Sequence, residues 1–168
     1  MNVTSKSRYA LKIMMDLAGQ GREELVHRSD IARRQGIPPD YMDQILGRLR
    51  EGGLIDSTRG RSGGYRLARS ADAVSVLEIF SAAEDAFQPV QCLEGGLGCV
   101  AEHVCSSKDA WGVISEAIRG SLSGIILTDL VAHKGTGKGL KTPANPLVTT
   151  PQECRAPKRR AGGSKSLS

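Results

Sequence analysis

The sequence predicts a mainly α fold with a small β wing, the pattern of a winged helix-turn-helix followed by one long helix. Three observations carry this expectation. Two short helical stretches are separated by Gly36-Ile37-Pro38, a glycine-turned hairpin pattern follows over residues 54–67, and a long amphipathic stripe lies over residues 108–125.

Residues 5–17 place Tyr9, Ala10, Ile13, Met14 and Leu17 on one helical stripe, with Thr4, Ser5 and Ser7 as candidate caps. Ser29 is placed to cap a second helix over residues 30–35, which Gly36 would stop in the left-handed conformation glycine tolerates. Pro39 suits the first turn of a third helix, where Met42, Ile45, Leu46 and Leu49 recur at helical spacing before Gly52-Gly53. Residues 54–58 and 65–67 read as two strands around the turn-rich Arg59-Gly60-Arg61-Ser62-Gly63-Gly64. A fourth helix is expected near 74–83, then a glycine- and cysteine-bearing loop over 88–107, then a helix over 108–125. The last carries Ala110, Ile114, Ala117, Ile118, Leu122 and Ile125. One small domain leaves part of such a stripe uncovered, so self-association and packing within the subunit both account for it.

From residue 134 onward the chain is rich in Gly, Pro, Ser and Lys with little hydrophobic patterning, the composition of a disordered tail. The expected organisation is therefore a domain over 1–133 and a basic tail over 134–168. Gly137-Lys138-Gly139 is not a phosphate loop, because no Ser or Thr follows the lysine and no strand precedes it.

The chain has 168 residues, the length of one domain with appendages, and no apolar run reaches the roughly 20 residues of a membrane span. Its N-terminus lacks the apolar core of a secretion signal, so a cytoplasmic protein with no membrane partner is expected. Four cysteines are too few and too unevenly placed for a disulfide scaffold. Only six aromatic residues argue against a base-stacking surface for single strands.

Charge is segregated. Residues 1–70 hold 13 Lys/Arg against 8 Asp/Glu, residues 71–132 hold 2 against 9, and residues 133–168 hold 8 against 1. A polyanion would thus meet the first third and be repelled by the middle. The third helix exposes Asp40, Tyr41, Asp43, Gln44 and Arg48. In a major groove Gln pairs with adenine, Arg with guanine, and Asp accepts from cytosine. Arg59, Arg61 and Arg66 at the wing suit phosphates or a narrow minor groove, and Lys6, Arg8 and Arg33 suit backbone clamps. The plainer reading is that these arginines only solubilise a helical domain, and Asp40 and Asp43 oppose nonspecific binding. Spacing, turn chemistry and charge nevertheless agree on a domain that binds double-stranded DNA.

Cys92, Cys99 and Cys105 form C-x6-C-x5-C in a loop containing Gly95, Gly96 and Gly98. Structural zinc prefers paired knuckles of closer spacing, whereas iron–sulfur clusters accept wider thiolate spacing and glycine-rich wraps. Three unrelated buried thiols remain the alternative.

Thr4-Ser5-Lys6-x-Arg8-Tyr9-Ala10, Asp30-Ile31-Ala32-x-Arg34-Gln35-Gly36-Ile37, Tyr41-x-x-Gln44, Arg48-Leu49-Arg50, Arg59-Gly60 and Gly63-Gly64-Tyr65, followed by three loop cysteines and Trp111, closely resemble the Rrf-type bacterial transcriptional regulators. The iron–sulfur cluster assembly branch is nearest in pattern, with nitric-oxide-sensing and rhizobial iron regulators as relatives. The resemblance covers about residues 1–132. It implies a homodimer built on a long dimerisation helix, and a [2Fe–2S] or [4Fe–4S] cluster whose state sets DNA binding. It places Cys92, Cys99 and Cys105 at the cluster, Gln44 in the recognition helix and Arg59 in the wing.

One position departs from the pattern. The cluster-assembly branch has a ligating histidine three residues after the last cysteine, and here that residue is Lys108, whose ammonium cannot ligate. Arg8 and Lys12 on helix 1 are equally unsuited. His103, Glu102, Glu94 and Asp109 are the local candidates for the fourth ligand, with Cys154 in the tail as a remote one. The resemblance thus implies a sensor of iron, oxygen or nitric oxide that represses or activates iron–sulfur or iron-homeostasis genes. The alternative is a regulator of the same type without a cluster, working by thiol redox or a protein partner. An enzyme is not expected, because His27, His103 and His133 are scattered and no catalytic constellation accompanies the cysteines.

Overall fold

The computed structural model describes residues 4–84 and 106–132. The expected cysteine loop and basic tail lie outside the described residues, apart from Ser106 and Ser107. In chain order the elements are α1 (Ser5–Gln20), α2 (Arg28–Gln35), α3 (Pro39–Glu51), β1 (Ile55–Thr58), β2 (Gly64–Leu67), a 3-10 turn (Ala71–Ala73), α4 (Val76–Ala83), α5 (Lys108–Ser123) and α6 (Leu127–Ala132).

Thr4 caps α1 by accepting from the backbone N–H groups of Lys6 and Ser7, as the sequence predicts. The helix runs on to Gln20, past the predicted end at Leu17. Helix α2 corrects the expected cap. It starts at Arg28 behind His27, which makes no side-chain capping bond, so Ser29 lies inside the first turn. Gly36 ends α2 at φ 63°, with its N–H bonded to the Ala32 carbonyl. Pro39 opens α3, and Met42, Ile45, Leu46 and Leu49 all face the core at 1% exposure or less.

The wing is an antiparallel pair running from Ile55 opposite Leu67 to Thr58 opposite Gly64. A third segment joins it: Val26 and Tyr65 exchange backbone hydrogen bonds of 2.9 Å in both directions. This tethers the wing to the α1–α2 connection. A Cβ on Gly64 would stand 2.8 Å from the Val26 carbonyl oxygen, so glycine is required for that approach.

The core collects Ala10, Ile13, Met14 and Leu17 of α1 with the buried faces of α3 and α4, the wing residues Leu54, Ile55 and Leu67, and Leu127. Sequence reasoning missed how the chain returns to it. The predicted helix to Ile125 stops at Ser123, and the next residues pair with the approach to α4 through Val76 N–H to the Ile125 carbonyl and Leu127 N–H to the Val74 carbonyl. That turn drives Leu127, fully buried, into the core and packs α6 on α1.

The α5 stripe consequently divides. Leu122 and Ile125 pack against the core, whereas Ile114 remains 43% exposed, as do Trp111 and Val113 outside the stripe at 41% and 62%.

Helix α4 begins later than predicted, at Val76, because Ser75 and Glu78 form a reciprocal capping box, and Arg69 donates to Glu78 at 2.8 Å. Removing the cap with Ser75→Ala is expected to cost about 1 kcal/mol in urea unfolding. The backbone N–H of Ser75 and the Arg69 guanidinium hold the Glu78 carboxyl below its ordinary value. Its contribution is therefore present above the ordinary carboxylate pKa and lost as pH falls through the lowered one. Glu78→Gln should flatten that acid limb of the stability profile. An unchanged limb would assign it to other carboxylates.

Candidate nucleic-acid interface

The α2–turn–α3 unit is fastened to α1 by a buried charge. Asp16, 2% exposed, accepts from Arg34 through Nε at 3.0 Å and Nη2 at 2.6 Å, and from Gln35 Nε2 at 2.8 Å. That geometry is a bidentate fork, and Asp16 holds the Arg34 guanidinium further toward its charged form. Lys12 Nζ donates to the last carbonyl of α2, at Gln35, from 3.2 Å. Together these bonds fix the first helix of the motif, and with it the direction in which α3 projects.

On α3 the predicted reading residues separate by surroundings. Asp40, Tyr41, Asp43 and Gln44 are exposed, while Arg48 is half-buried. Tyr41 leans edge-on against Tyr9 of α1, with ring centroids 5.8 Å apart, and Lys12 Nζ stands 6.0 Å from the Tyr9 ring. Asp43 accepts from Arg28 Nη1 with both carboxylate oxygens. Sequence reasoning missed that partner: Arg28 lies on another helix, 15 residues back, where no periodicity links the two.

Among the expected clamps, Arg8 is exposed and Lys6 half-buried on the first turns of α1. Arg59 and Arg61 are exposed around Gly60, whose φ of 118° makes the wing tip a glycine turn. Arg66, expected beside them, lies on β2 between Glu23 and Asp56, each at 3.8 Å. Those two carboxylates offset its charge and set it apart from the tip. Arg33 is spent in part on Asp30, at 2.9 Å within the same helix.

The N-terminus of α1 is also clasped. Glu84, at the end of α4, accepts from the hydroxyls of Thr4 and Ser7, the latter at 2.6 Å. Cys92, Cys99, Cys105, His103 and Glu102 lie outside the described residues; Lys108 and Asp109 are exposed at the start of α5. Among the described residues no group of three or more His, Cys, Asp or Glu stands close enough to hold a metal ion. Among them, too, no helix is long and apolar enough to cross a membrane.

A short first helix, a projecting second helix and a two-stranded arginine-bearing wing define a winged helix-turn-helix of the DNA-binding transcription regulator class. The chain belongs to the Rrf2 family, iron-dependent transcriptional regulators, whose model matches residues 3–133. It is 39% identical over 134 residues to the HTH-type transcriptional regulator IscR of Xenorhabdus nematophila, spanning 80% of this chain and 81% of that one. Among solved structures it resembles IscR of T. potens at 30% identity and TM-score 0.64, over 83% of this chain and 94% of that one. It also resembles CymR of B. subtilis, the global cysteine regulator, at 30% identity and TM-score 0.63, over 79% and 97%. The chain is accordingly a transcriptional regulator and not an enzyme.

Proposed function

We propose that this regulator is a cytoplasmic homodimer that senses an iron–sulfur cluster and controls genes of iron–sulfur biogenesis or iron homeostasis. The observation that carries the reading is the set of three thiolates, Cys92, Cys99 and Cys105, in one short loop just before α5, in a chain similar to proteins named IscR. Soft thiolate donors suit iron–sulfur clusters, and the glycines among them leave backbone N–H groups for the sulfurs. When bound, a cluster would supply a redox- and oxygen-sensitive group to which DNA binding could respond. Lys108 cannot complete the ligand set, which leaves the fourth position to His103, Glu102, Glu94, Asp109 or a non-protein ligand.

The exposed Trp111, Val113 and Ile114 support α5 as the dimerisation helix, because a second copy would remove them from water. Two copies would then present two α3 helices to successive major grooves. Anaerobic purification with iron and sulfide analysis and Mössbauer spectroscopy, followed by DNA binding of holo and apo forms, tests the whole reading. A second reading, a thiol switch, is favoured by the similarity to CymR, a name shared by a Staphylococcus aureus structure of an oxidised form at 27% identity and TM-score 0.63. Protein that stays colourless after reconstitution, with all three loop cysteines freely alkylated, would select it.

Two binding predictions follow from the interface residues. Affinity for duplex DNA should fall steeply with salt as Lys6, Arg8, Arg59 and Arg61 displace counterions. Gln44→Ala should cost about 1–3 kcal/mol at one base position, whereas Lys6→Ala should weaken all sequences alike. Truncation after His133 should preserve the dimer and specific binding while lowering nonspecific affinity. A monomeric truncation product would place part of the dimer contact in the tail.

A further inference from the structure

The geometry points to Arg28 as a positioning residue for base reading: one arm of its guanidinium braces Asp43 on α3, and the other is offered to a backbone phosphate of duplex DNA. The inference rests on the DNA-reading role of α3. Only Nη1 meets the Asp43 carboxylate. A guanidinium carries five N–H donors in a planar fork, so Nε–H and Nη2, which meet no acceptor among the described residues, remain for a phosphate. Arg28 opens α2, the helix that in this motif crosses the DNA backbone while its neighbour enters the groove.

The side chains of the pair are 56% and 65% exposed, and such a pair contributes little to folding stability. Its consequence lies where DNA arrives. An unaccompanied carboxylate on the reading helix would repel phosphates and swing among rotamers. Held by Arg28, it is neutralised and aimed, and its remaining lone pairs can accept from cytosine N4. Phosphate register and base choice are then coupled through one side chain.

The test uses the full-length protein and a duplex that it selects from a randomised library, together with single-base variants of that duplex. Arg28→Ala is expected to weaken binding to the selected duplex about tenfold, and to erase the base preference that Asp43→Ala also erases. In the Asp43→Ala background the same change should cost only the phosphate contact, lowering the salt slope by about 1 without altering base preference. Arg28→Lys, which keeps charge and loses the fork, should fall between. The thermal midpoint should not move in any of them. Equal losses in both backgrounds, or an Arg28→Ala protein that keeps its base preference, would reduce Arg28 to an ordinary clamp and overturn the proposal. A library that enriches nothing would instead remove the DNA-reading role of α3, and the proposal with it.

Discussion

Cys92→Ala, Cys99→Ala and Cys105→Ala are each expected to abolish stable cluster binding, with loss of visible absorbance and of iron and sulfide after anaerobic reconstitution. The physical reason is the size of the donor set. With three loop thiolates, removing any one leaves two, too few to hold a cluster against chelators. Cys154→Ala should leave the cluster in place. All four variants should retain fold and dimer, because among the described residues the core assembles from α1, α3, α4, the wing and Leu127. Lys108→His examines the departure in the ligand pattern. If that position faces the iron, an imidazole there should slow cluster loss to oxygen or chelator. Equal decay in the parent protein and the variant would mean that the fourth ligand comes from elsewhere.

Arg34→Ala is expected to have the largest effect on stability, about 3 kcal/mol in urea unfolding, because it strips a buried carboxylate of its main counter-charge. Asp16 is 2% exposed and would lose a two-bond guanidinium fork. Arg34→Lys should recover part of the loss, since an ammonium supplies charge but not the planar pair of donors. The same variants should weaken DNA binding more than their stability explains, because the fork sets the angle between α1 and the helix-turn-helix. Full stability in Arg34→Ala would show that Asp16 does not depend on the guanidinium fork.

Most of the helix-turn-helix was legible in the sequence because its signals are local. The spacing of Met42, Ile45, Leu46 and Leu49, the stop at Gly36 and the Pro39 start each depend on a few consecutive residues, and the structure keeps all three. The wing followed from the turn glycines between two short strand segments. Ser29 misled as a cap because Ser is a general N-cap former; the helix starts two residues earlier, with His27 in the cap position. Helix α6 escaped notice because Leu127–Ala132 is too short to show periodicity and is held by backbone pairing with Val74 and Val76.

The Rrf-type motifs stand in the sequence alone, and they determined the family. Only tertiary structure decided which arginines have a carboxylate partner. Arg28, Arg33, Arg34, Arg59, Arg61 and Arg66 are the same residue type, yet four of them meet carboxylates: Asp43, Asp30, Asp16, and the pair Glu23 and Asp56. Three of those four pairings join residues on different elements, and a side chain's electrostatic partner across elements is set by packing, which no one-dimensional periodicity encodes. The α5 stripe shows the same division. Its amphipathic pattern was readable, but that Leu122 and Ile125 belong to this subunit's core while Ile114 stays at its surface follows from where the chain turns at Gly124 and buries Leu127.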